Sequence, residues 1–473
     1  MKLQAKYILL VGAIVWLGAC KVPAISSKQE NTSVPAGYTN SQDTLNMVKL
    51  PWREYFSDPN LIALIDTALQ NNQELNIMLQ EIEMSRNEIM QRKGEYKPFV
   101  NLKAGAAADR AGKYTWDGFS EEDLKANPEK GPKYIGDFMV GTYFSWELDV
   151  WKKLRNATKS AAIKYSSAVE GRNFMVTNII AEIAASYYEL MALDNQLEIV
   201  QQNISLQSNV LKIIKQQKEA AKVTQLAVNR FEAQLLNTQN LRYEIQQQIT
   251  ETENKIRFLT GKYTPAITRN AAQFSTIPME ELKTGIPSQL LTNRPDIRQA
   301  ELNIAAAKLD VQVAKANFYP SFSIQAGLGF QAFNPLYLIR PASILYNLAG
   351  EMVAPLVNKN AITAAYYNAN AQQIQTVYTY EQTILNAYTE VLNQIAKAAN
   401  FKASYEMKSK EVDILLQSVA ISNNLFNSAR ADYMEVLLTQ REALESKRQL
   451  IEIRMKQLSA KVNIYRALGG GWN

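Results

Sequence analysis

Two long stretches of the chain combine a seven-residue spacing of apolar residues with a near absence of helix breakers. Leu356 to Leu468 contains no Pro and no Gly, and Trp151 to Thr260 contains no Pro and a single Gly. A repeat of 3.5 residues per turn is typical of coiled-coil packing. The apolar positions are Ile183, Leu190, Leu197, Ile204 and Leu211 in one stretch and Leu437, Leu444, Ile451, Leu458 and Tyr465 in the other. The pattern predicts a duplicated chain in which each half carries one very long helical segment.

Each long segment is predicted to fold back on itself. The first reads as helices 152–218 and 224–260, and the second as helices 356–427 and 431–468. Shorter helices, 59–96 and 288–318, precede them, the first with Asp58 as its N-cap and Pro59 at its first position. At about 1.5 Å per residue, each half then pairs one long helix with two short helices stacked end to end, a rod of roughly 100 Å.

The apolar period changes to two in the segments 98–150 and 320–355. These segments read as two β-hairpins, each with one apolar face and one polar or small face. Glu147 and Asp149 are placed on the polar face as part of a solvated wall. The apolar positions are Val100, Leu102, Ala104, Ala106 and Ala108, then Phe138, Val140, Phe144, Trp146 and Leu148, then Phe322, Ile324, Ala326, Leu328 and Phe330, and finally Ile344, Tyr346, Leu348 and Met352.

These strands are long enough to cross a bilayer, which takes about 9–11 residues. A four-stranded sheet cannot remain open in lipid, because its edges would leave backbone groups unpaired, and four strands are too few to close a barrel. Association solves both problems, with eight strands from two copies or twelve from three. A soluble β-sandwich is the alternative interpretation.

The N-terminus reads as a secretory signal. Lys2 and Lys6 precede a short apolar core, Tyr7 to Trp16, and the sequence Leu17-Gly18-Ala19-Cys20 resembles a bacterial lipobox. Cys20 is therefore the predicted lipidation site and mature N-terminus, and acyl chains there would tether the protein to a membrane leaflet. A plain signal peptide with a chance Cys is the alternative.

Composition argues against catalysis. The chain has no His and one Cys, which removes His-based metal sites, Ser–His and Cys–His nucleophile pairs, and structural disulfides. We expect no enzyme activity, no cofactor and no metal. The net charge of +6 is spread along the chain without a basic run, so no nucleic-acid partner is expected.

Three motifs and the C-terminus resemble the TolC-type outer-membrane efflux proteins, within the lipoprotein branch that works with resistance-nodulation-division pumps. The motifs are Trp52 to Leu61, Ser145 to Arg155, and Leu290 to Glu301 continuing to Phe318-Tyr319-Pro320; the ending is Ala467 to Trp472. Within the third motif, Arg294 and Asp296 are interpreted as a structural pair at a helix start, in preference to a substrate contact.

The resemblance implies a mainly α protein with membrane β structure. The implied assembly is a homotrimer, with a 12-stranded outer-membrane β-barrel (four strands per chain) continued by a long periplasmic α-helical barrel. The implied partners are a periplasmic adaptor (membrane fusion) protein, an inner-membrane transporter and outer-membrane lipid. The predicted segments of the chain are a signal peptide at 1–19, a lipid-anchored tether at 20–58, a first repeat at 59–261, an equatorial linker at 262–287, a second repeat at 288–468 and a tail at 469–473.

The resemblance also assigns the two helix–turn–helix tips. Relatives carry an Asp near each tip, and the matching positions are the uncharged Ala227 and Leu438, so a carboxylate ring is not expected there. Asp432 and Glu435 are nearby substitutes. The aperture candidates are Asp432, Met434, Glu435, Leu438, Gln225 and Ala227, and the candidate adaptor contacts are Ala220, Lys222, Val223, Ser428, Ala429 and Arg430.

The sequence therefore favours a passive exit duct of a tripartite efflux system that conducts drugs or other small molecules from the periplasm to the exterior. An exit duct for secreted proteins or peptides is one alternative. A membrane-anchored coiled-coil scaffold without a pore is another, and the alternating hairpins are the feature that such a scaffold does not need.

Overall fold

The computed structural model describes residues 22–38, 50–109, 135–263, 266–279, 284–428 and 430–472. Its residues form two compact units, and each is described by itself. The first contains the described residues up to Gln29 and those within 83–165 and 302–377. The second contains the described residues within 30–82, 166–301 and 378–472.

The helices of the first half begin with α1 (Trp52–Tyr55), α2 (Pro59–Asn71) and α3 (Gln73–Glu95). Asp58 caps α2 as predicted, because its Oδ1 accepts a 2.8 Å hydrogen bond from the Asn60 N–H. The prediction of one continuous helix to about Tyr96 is wrong, since the backbone of Asn72 is extended and separates α2 from α3. The Asn72 side chain compensates by accepting from the Leu75 N–H at 2.9 Å.

Long helical hairpins follow in both halves. The first is α4 (Lys153–Glu219) with α5 (Gln225–Thr260). A short α6 (Leu290–Asn293) and α7 (Pro295–Ala316) precede the second sheet segment, and the second hairpin is α8 (Asn360–Asn427) with α9 (Tyr433–Ala467). These bounds agree with the sequence prediction to within a few residues. All ten heptad residues of the two stretches are buried or half-buried, as helix-on-helix packing requires.

Backbone conformation repeats the duplication. Lys152 and Asn358 stand just before α4 and α8, and both have positive φ values, 62° and 55°. Gly261 and Gly469 follow α5 and α9, again with positive φ values, 63° and 93°. A Cβ at Gly261 would lie 2.2 Å from the Asn71 carbonyl oxygen, and one at Gly469 would lie 2.6 Å from the Asn293 carbonyl oxygen. Only Gly fits both the conformation and the space at these helix ends.

The first unit contains one antiparallel sheet in the order β1 (Phe99–Asp109), β2 (Ile135–Leu148), β3 (Ser321–Ala332) and β4 (Ile344–Val353). Its register aligns the predicted apolar positions across all four strands, for example Val140 with Ala104 and Phe330. Every residue of β1 and nearly every residue of β4 is exposed, so both edges of the sheet are uncovered in the single chain. Tyr346 and Leu348 on β4 are each about four-fifths exposed, at 80% and 79%.

The hydrophobic core of the second unit lies where α4 passes α1, α2 and the C-terminal part of α9. Tyr187 and Leu458 are fully buried there, and Tyr55 stacks on Tyr465 with ring centroids 4.1 Å apart. The Tyr187 hydroxyl donates to Asp58 Oδ2 at 2.7 Å, which ties the cap of α2 to the long helix. Across the described ranges, no helix is both long and apolar enough to span a membrane.

Candidate functional site

The two helix–turn–helix tips close with the same backbone hydrogen bond. The Lys222 N–H donates to the Gln217 carbonyl, and the Arg430 N–H donates to the Leu425 carbonyl, each at 2.8 Å and each across five residues. In the first tip, Ala221 has a positive φ of 55°. This pattern ends a helix by satisfying carbonyls that its last turn leaves free. Both tips are therefore defined turns rather than simple bends in a helix.

The beginnings of α5 and α9 are held together by a small apolar cluster. Phe231 and Ala227 are buried in it with Leu211 and Ile214 of α4, and Leu437 packs against them. The cluster also joins the two halves of the chain, since the Phe231 and Tyr433 rings lie 6.5 Å apart. The geometry of one tip thus depends on the position of the other.

The aperture candidates occupy different environments. Gln225, Asp432 and Glu435 are exposed, Leu438 is 39% exposed, and Met434 is half-buried. Ala227 is fully buried in the apolar cluster, so its side chain is not available to line an aperture and we remove it from the candidates. Its amide instead donates to the N-cap oxygen of Thr224.

The N-caps also align the two halves. Thr224 precedes α5 and Asp432 precedes α9. When the two halves are aligned on these residues, Glu435 is equivalent to Ala227 and Leu438 is equivalent to Arg230. The Arg230 guanidinium donates to Met434 Sδ at 3.2 Å, which holds a cation beside that thioether. The described tips therefore combine acidic, basic and apolar groups, and Arg230 is the one of these that the sequence analysis did not name.

The candidate adaptor contacts are mostly accessible. Ala220, Lys222, Ser428 and Arg430 are exposed, whereas Val223 is half-buried against the apolar cluster. Ala429 and the predicted lipidation site Cys20 lie outside the described residues, so their roles stay predictions.

Arg294 donates hydrogen bonds to three different residues of the second unit. Its guanidinium donates to Asp296 at 3.0 and 2.8 Å, to Glu390 Oε2 at 2.8 Å and to the Ala467 carbonyl at 2.7 Å. The side chain is only 7% exposed. Burial disfavours its charge, but the hydrogen bonds and charge of Asp296, followed by Glu390, outweigh burial and raise the pKa of Arg294. The structural interpretation of the Arg294–Asp296 pair is confirmed.

Sequence reasoning missed Glu390 and the Ala467 carbonyl as partners of Arg294. Glu390 lies on α8 and also accepts from Arg466, so one carboxylate joins two arginines from different elements. The residue of the first half that is equivalent to Arg294 is Asn72, whose side-chain amide donates to the Leu259 carbonyl at 2.8 Å. Leu259 and Ala467 each precede a helix-terminating Gly by two residues. The two halves thus share one latch, built with an amide in the first and a guanidinium in the second.

The prediction that Asp149 belongs to a solvated wall is wrong. Its side chain is only 2% exposed and accepts from the Leu154 N–H at 2.9 Å and the Arg155 N–H at 3.0 Å. Asp149 is therefore a cap of α4 and no part of a solvated wall. Burial acts to raise the pKa of this carboxyl, but the backbone and side-chain bonds from Arg155 and Leu154 outweigh it and lower the pKa.

Aromatic side chains mark the end of the sheet nearest the helices. The Trp151 indole donates to the Pro320 carbonyl at 2.7 Å and stacks on Tyr319 with centroids 4.7 Å apart. The Trp146 indole donates to the Tyr96 carbonyl at 3.1 Å. Indoles that satisfy their N–H while exposing a ring are typical of a membrane–water boundary. Within the described residues, no group of His, Cys, Asp and Glu has the arrangement of a metal site.

Comparison with known structures places this geometry among outer-membrane channels. The open-state MtrE outer membrane channel of Neisseria gonorrhoeae superposes with a TM-score of 0.84 at 19% identity, covering 96% of this chain and 99% of that one. The fold of the chain is that of an outer-membrane channel with helical and β-barrel parts.

The family follows from the sequence match. The model described as "Outer membrane efflux protein" matches residues 64–262 and 286–470, and the chain belongs to this family. The pyoverdine export outer membrane protein OpmQ of Pseudomonas aeruginosa is 25% identical, over 99% of this chain and 98% of its own length. The probable outer membrane lipoprotein SilC of Salmonella typhimurium is 24% identical, over 95% and 93%. The protein is thus a channel component of an efflux system in the bacterial outer membrane, and its family is one of ducts and not of enzymes.

Proposed function

We propose that three copies of the chain assemble into one twelve-stranded barrel that serves as a passive exit duct. The observation that carries this proposal is the sheet, which has one apolar face and two uncovered edges. Pairing β4 of one copy with β1 of the next would satisfy both edges, and lipid would cover the apolar face. The polar face then lines a lumen. Twelve strands enclose a wider interior than the eight strands that two copies would supply.

In this proposal the helical hairpins extend the duct into the periplasm. The tip residues Ala220, Lys222, Val223, Ser428, Ala429 and Arg430 meet a periplasmic adaptor protein, and an inner-membrane resistance-nodulation-division transporter supplies the energy. The duct itself performs no catalysis. Acylation of Cys20 adds a lipid anchor, and the repeats 59–261 and 288–468 act as equivalent halves around the linker 262–287.

The proposed solutes are small molecules. Relatives are named for export of pyoverdine, for solvent and toluene efflux and for cation efflux, so similar chains serve chemically different solutes. We infer that the choice of substrate is made mainly by the transporter and that this chain conducts what it receives.

The mass of the detergent-extracted mature protein tests the assembly. Native mass spectrometry, or light scattering with the detergent subtracted, should give three chains per particle. Purified particles should then produce stepwise conductance in planar bilayers. A stable monomer without conductance would contradict the barrel and favour a membrane-anchored scaffold, because four strands alone cannot close a pore.

The aperture proposal concerns Gln225, Asp432, Met434, Glu435 and Leu438. Leu438 is the sharpest test, because Leu438→Asp adds a carboxylate at an apolar position of the proposed lining. We expect a larger preference for cations in single-channel recordings. Leu416→Asp is the matched control, since Leu416 is also 39% exposed but lies on α8 away from the tips. Equal conductance and cation preference in the wild type and in Leu438→Asp would remove Leu438 from the lining.

A further inference from the structure

The charges of the four strands all lie on one face of the sheet. Sequence register places every charged strand residue at the odd-numbered positions, which form the polar face. Four are acidic, and Lys103 is the one basic residue in β1 to β4. The set is Lys103, Asp109, Asp137, Glu147 and Glu351. A lone cation among carboxylates on a common surface is a feature that the fold itself does not require.

Lys103 has a defined position on that face. Its Nζ lies 4.8 Å from the centroid of the Tyr143 ring, within the range of a cation–π contact. The Tyr143 ring in turn packs over Gly327, its direct partner in the register. A Cβ at Gly327 would lie 3.2 and 3.3 Å from two atoms of that ring. The glycine thus makes room for the aromatic ring, and the ring supports the ammonium group.

The positions of β2 and β3 directly level with Lys103 have no side chains. Its partner across the sheet is Gly141, which is itself paired with Gly329. Neither position has a side chain that could neutralise or cover the ammonium group. In the described part of the chain, no carboxylate forms an ion pair with Lys103. The charge is therefore directed to whatever occupies the space over this face.

Within one chain, the acidic residues lie too far from Lys103 to cancel its charge in salt solution. Glu147 and Glu351 share one row with Ser323, six residues from the Gly141–Gly329 row, which corresponds to about 20 Å along the strands. Asp137 is four residues from that row on the other side, about 13 Å. Both separations exceed the Debye length of about 8 Å at physiological ionic strength.

The carboxylates also have partners of their own. Glu147 pairs with Lys153, Asp137 accepts from Gln331 at 2.9 and 3.0 Å, and Glu351 accepts from Gln325 at 3.3 Å. Their charge is therefore partly balanced or held at the wall, which leaves Lys103 as a separate cationic point between two acidic zones.

We propose that Lys103, supported by Tyr143, is a charge filter inside the β-barrel lumen. It opposes the passage of cations and provides a transient binding point for the anionic groups of solutes, with the Tyr143 ring favouring aromatic anions. This inference rests on the proposed function, because only a closed barrel converts the polar face into a lumen. Three copies would then form one belt of three ammonium groups.

The test is the reversal potential of purified channels in planar bilayers under a KCl gradient. Lys103→Gln should raise the ratio of cation to anion permeability by at least about fivefold, because one unit charge about 4 Å from an ion in water already has an effect of that size and each trimer loses three. Lys103→Arg keeps the charge and should leave the ratio unchanged. Glu351→Gln removes a charge of the opposite sign from the same face, and should shift the ratio the other way.

A second measurement addresses the aromatic support. Naphthalene-2-sulfonate should block the wild-type current more strongly than an aliphatic sulfonate, and Tyr143→Leu should abolish that difference while keeping most of the ion preference. Lys103→Gln channels with wild-type conductance and wild-type reversal potential would overturn the inference and leave the channel function intact. A wild-type protein that assembles but never conducts would overturn the proposed function, and the charge filter with it.

Discussion

Removing the guanidinium of Arg294 should be among the most destabilising single changes in the second unit. Arg294→Met leaves two carboxylates, Asp296 and Glu390, without the cation that they share. Hydrogen bonds to charged groups contribute about 1.5–3 kcal/mol each, but their sum overstates the loss. Asp296 keeps its bond from the Ile297 N–H, and Glu390 keeps Arg466. The expected loss is therefore about 3–5 kcal/mol, the range for breaking a buried ion pair.

Urea unfolding in detergent, followed by far-ultraviolet circular dichroism, measures this loss. Arg86→Met provides the matched control, because Arg86 and its partner Glu83 are 70% and 53% exposed, and removal of such a surface pair should change the free energy of unfolding by less than about 1 kcal/mol. Arg294→Lys should fall between the two, since an ammonium group cannot form the bidentate fork to Asp296. If the free energy of unfolding of Arg294→Met lay within about 1 kcal/mol of the wild-type value, the argument that the hydrogen bonds of Arg294 stabilise this unit would be refuted.

Three further changes follow from the geometry. Asn72→Ala removes the hydrogen bond to the Leu259 carbonyl and the cap of α3, and should lower the free energy of unfolding by about 1–3 kcal/mol in the same urea assay. An unchanged free energy would show that the break between α2 and α3 does not depend on Asn72. Gly329→Ala should lower the yield of the proposed trimer in native mass spectrometry, because its Cβ would lie 2.4 Å from the Val140 carbonyl oxygen. Gly350→Ala has open space and should match wild type, and equal trimer yields for the two variants would contradict this close approach. Asp149→Asn should weaken the loss of unfolding free energy at acid pH. A lowered carboxyl pKa stabilises the fold above the ordinary pKa of about 3.9, and this contribution disappears as the pH falls through the folded-state pKa. Parallel curves of unfolding free energy against pH for the two proteins would argue against the cap.

The sequence predicted those features that depend on local periodicity. The long helices end where Gly or a polar turn interrupts the heptads, and the period-two segments place Val140, Phe330 and their neighbours on one face because side chains alternate in any strand. The break at Asn72 escaped prediction because Asn interrupts a helix only when its side chain finds better partners, and one partner, Leu259, is distant in sequence.

The candidate site was less predictable for the same physical reason. Burial of Ala227 depends on Phe231 and on Leu211 from another helix, which no spacing rule reveals. Glu390 is 96 residues from Arg294, so nothing local connects them. Asp149 follows strand alternation in sequence, yet its carboxylate turns to the amides of the next helix because an unpaired N-terminal N–H is a stronger attraction than solvent.

The uncovered edges of β1 and β4 have a kinetic consequence. One chain contains the helical hairpins and four paired strands. In the proposed assembly the last strand pairings need other chains, so the rate at which they form would rise with the local concentration of protein. Until copies meet, the exposed strands are templates for incorrect pairing and accessible to proteases. Dilution or slow delivery lengthens that interval. The yield of intact channels should therefore depend on how fast chains reach one another, even when every chain has the same sequence and folds equally well.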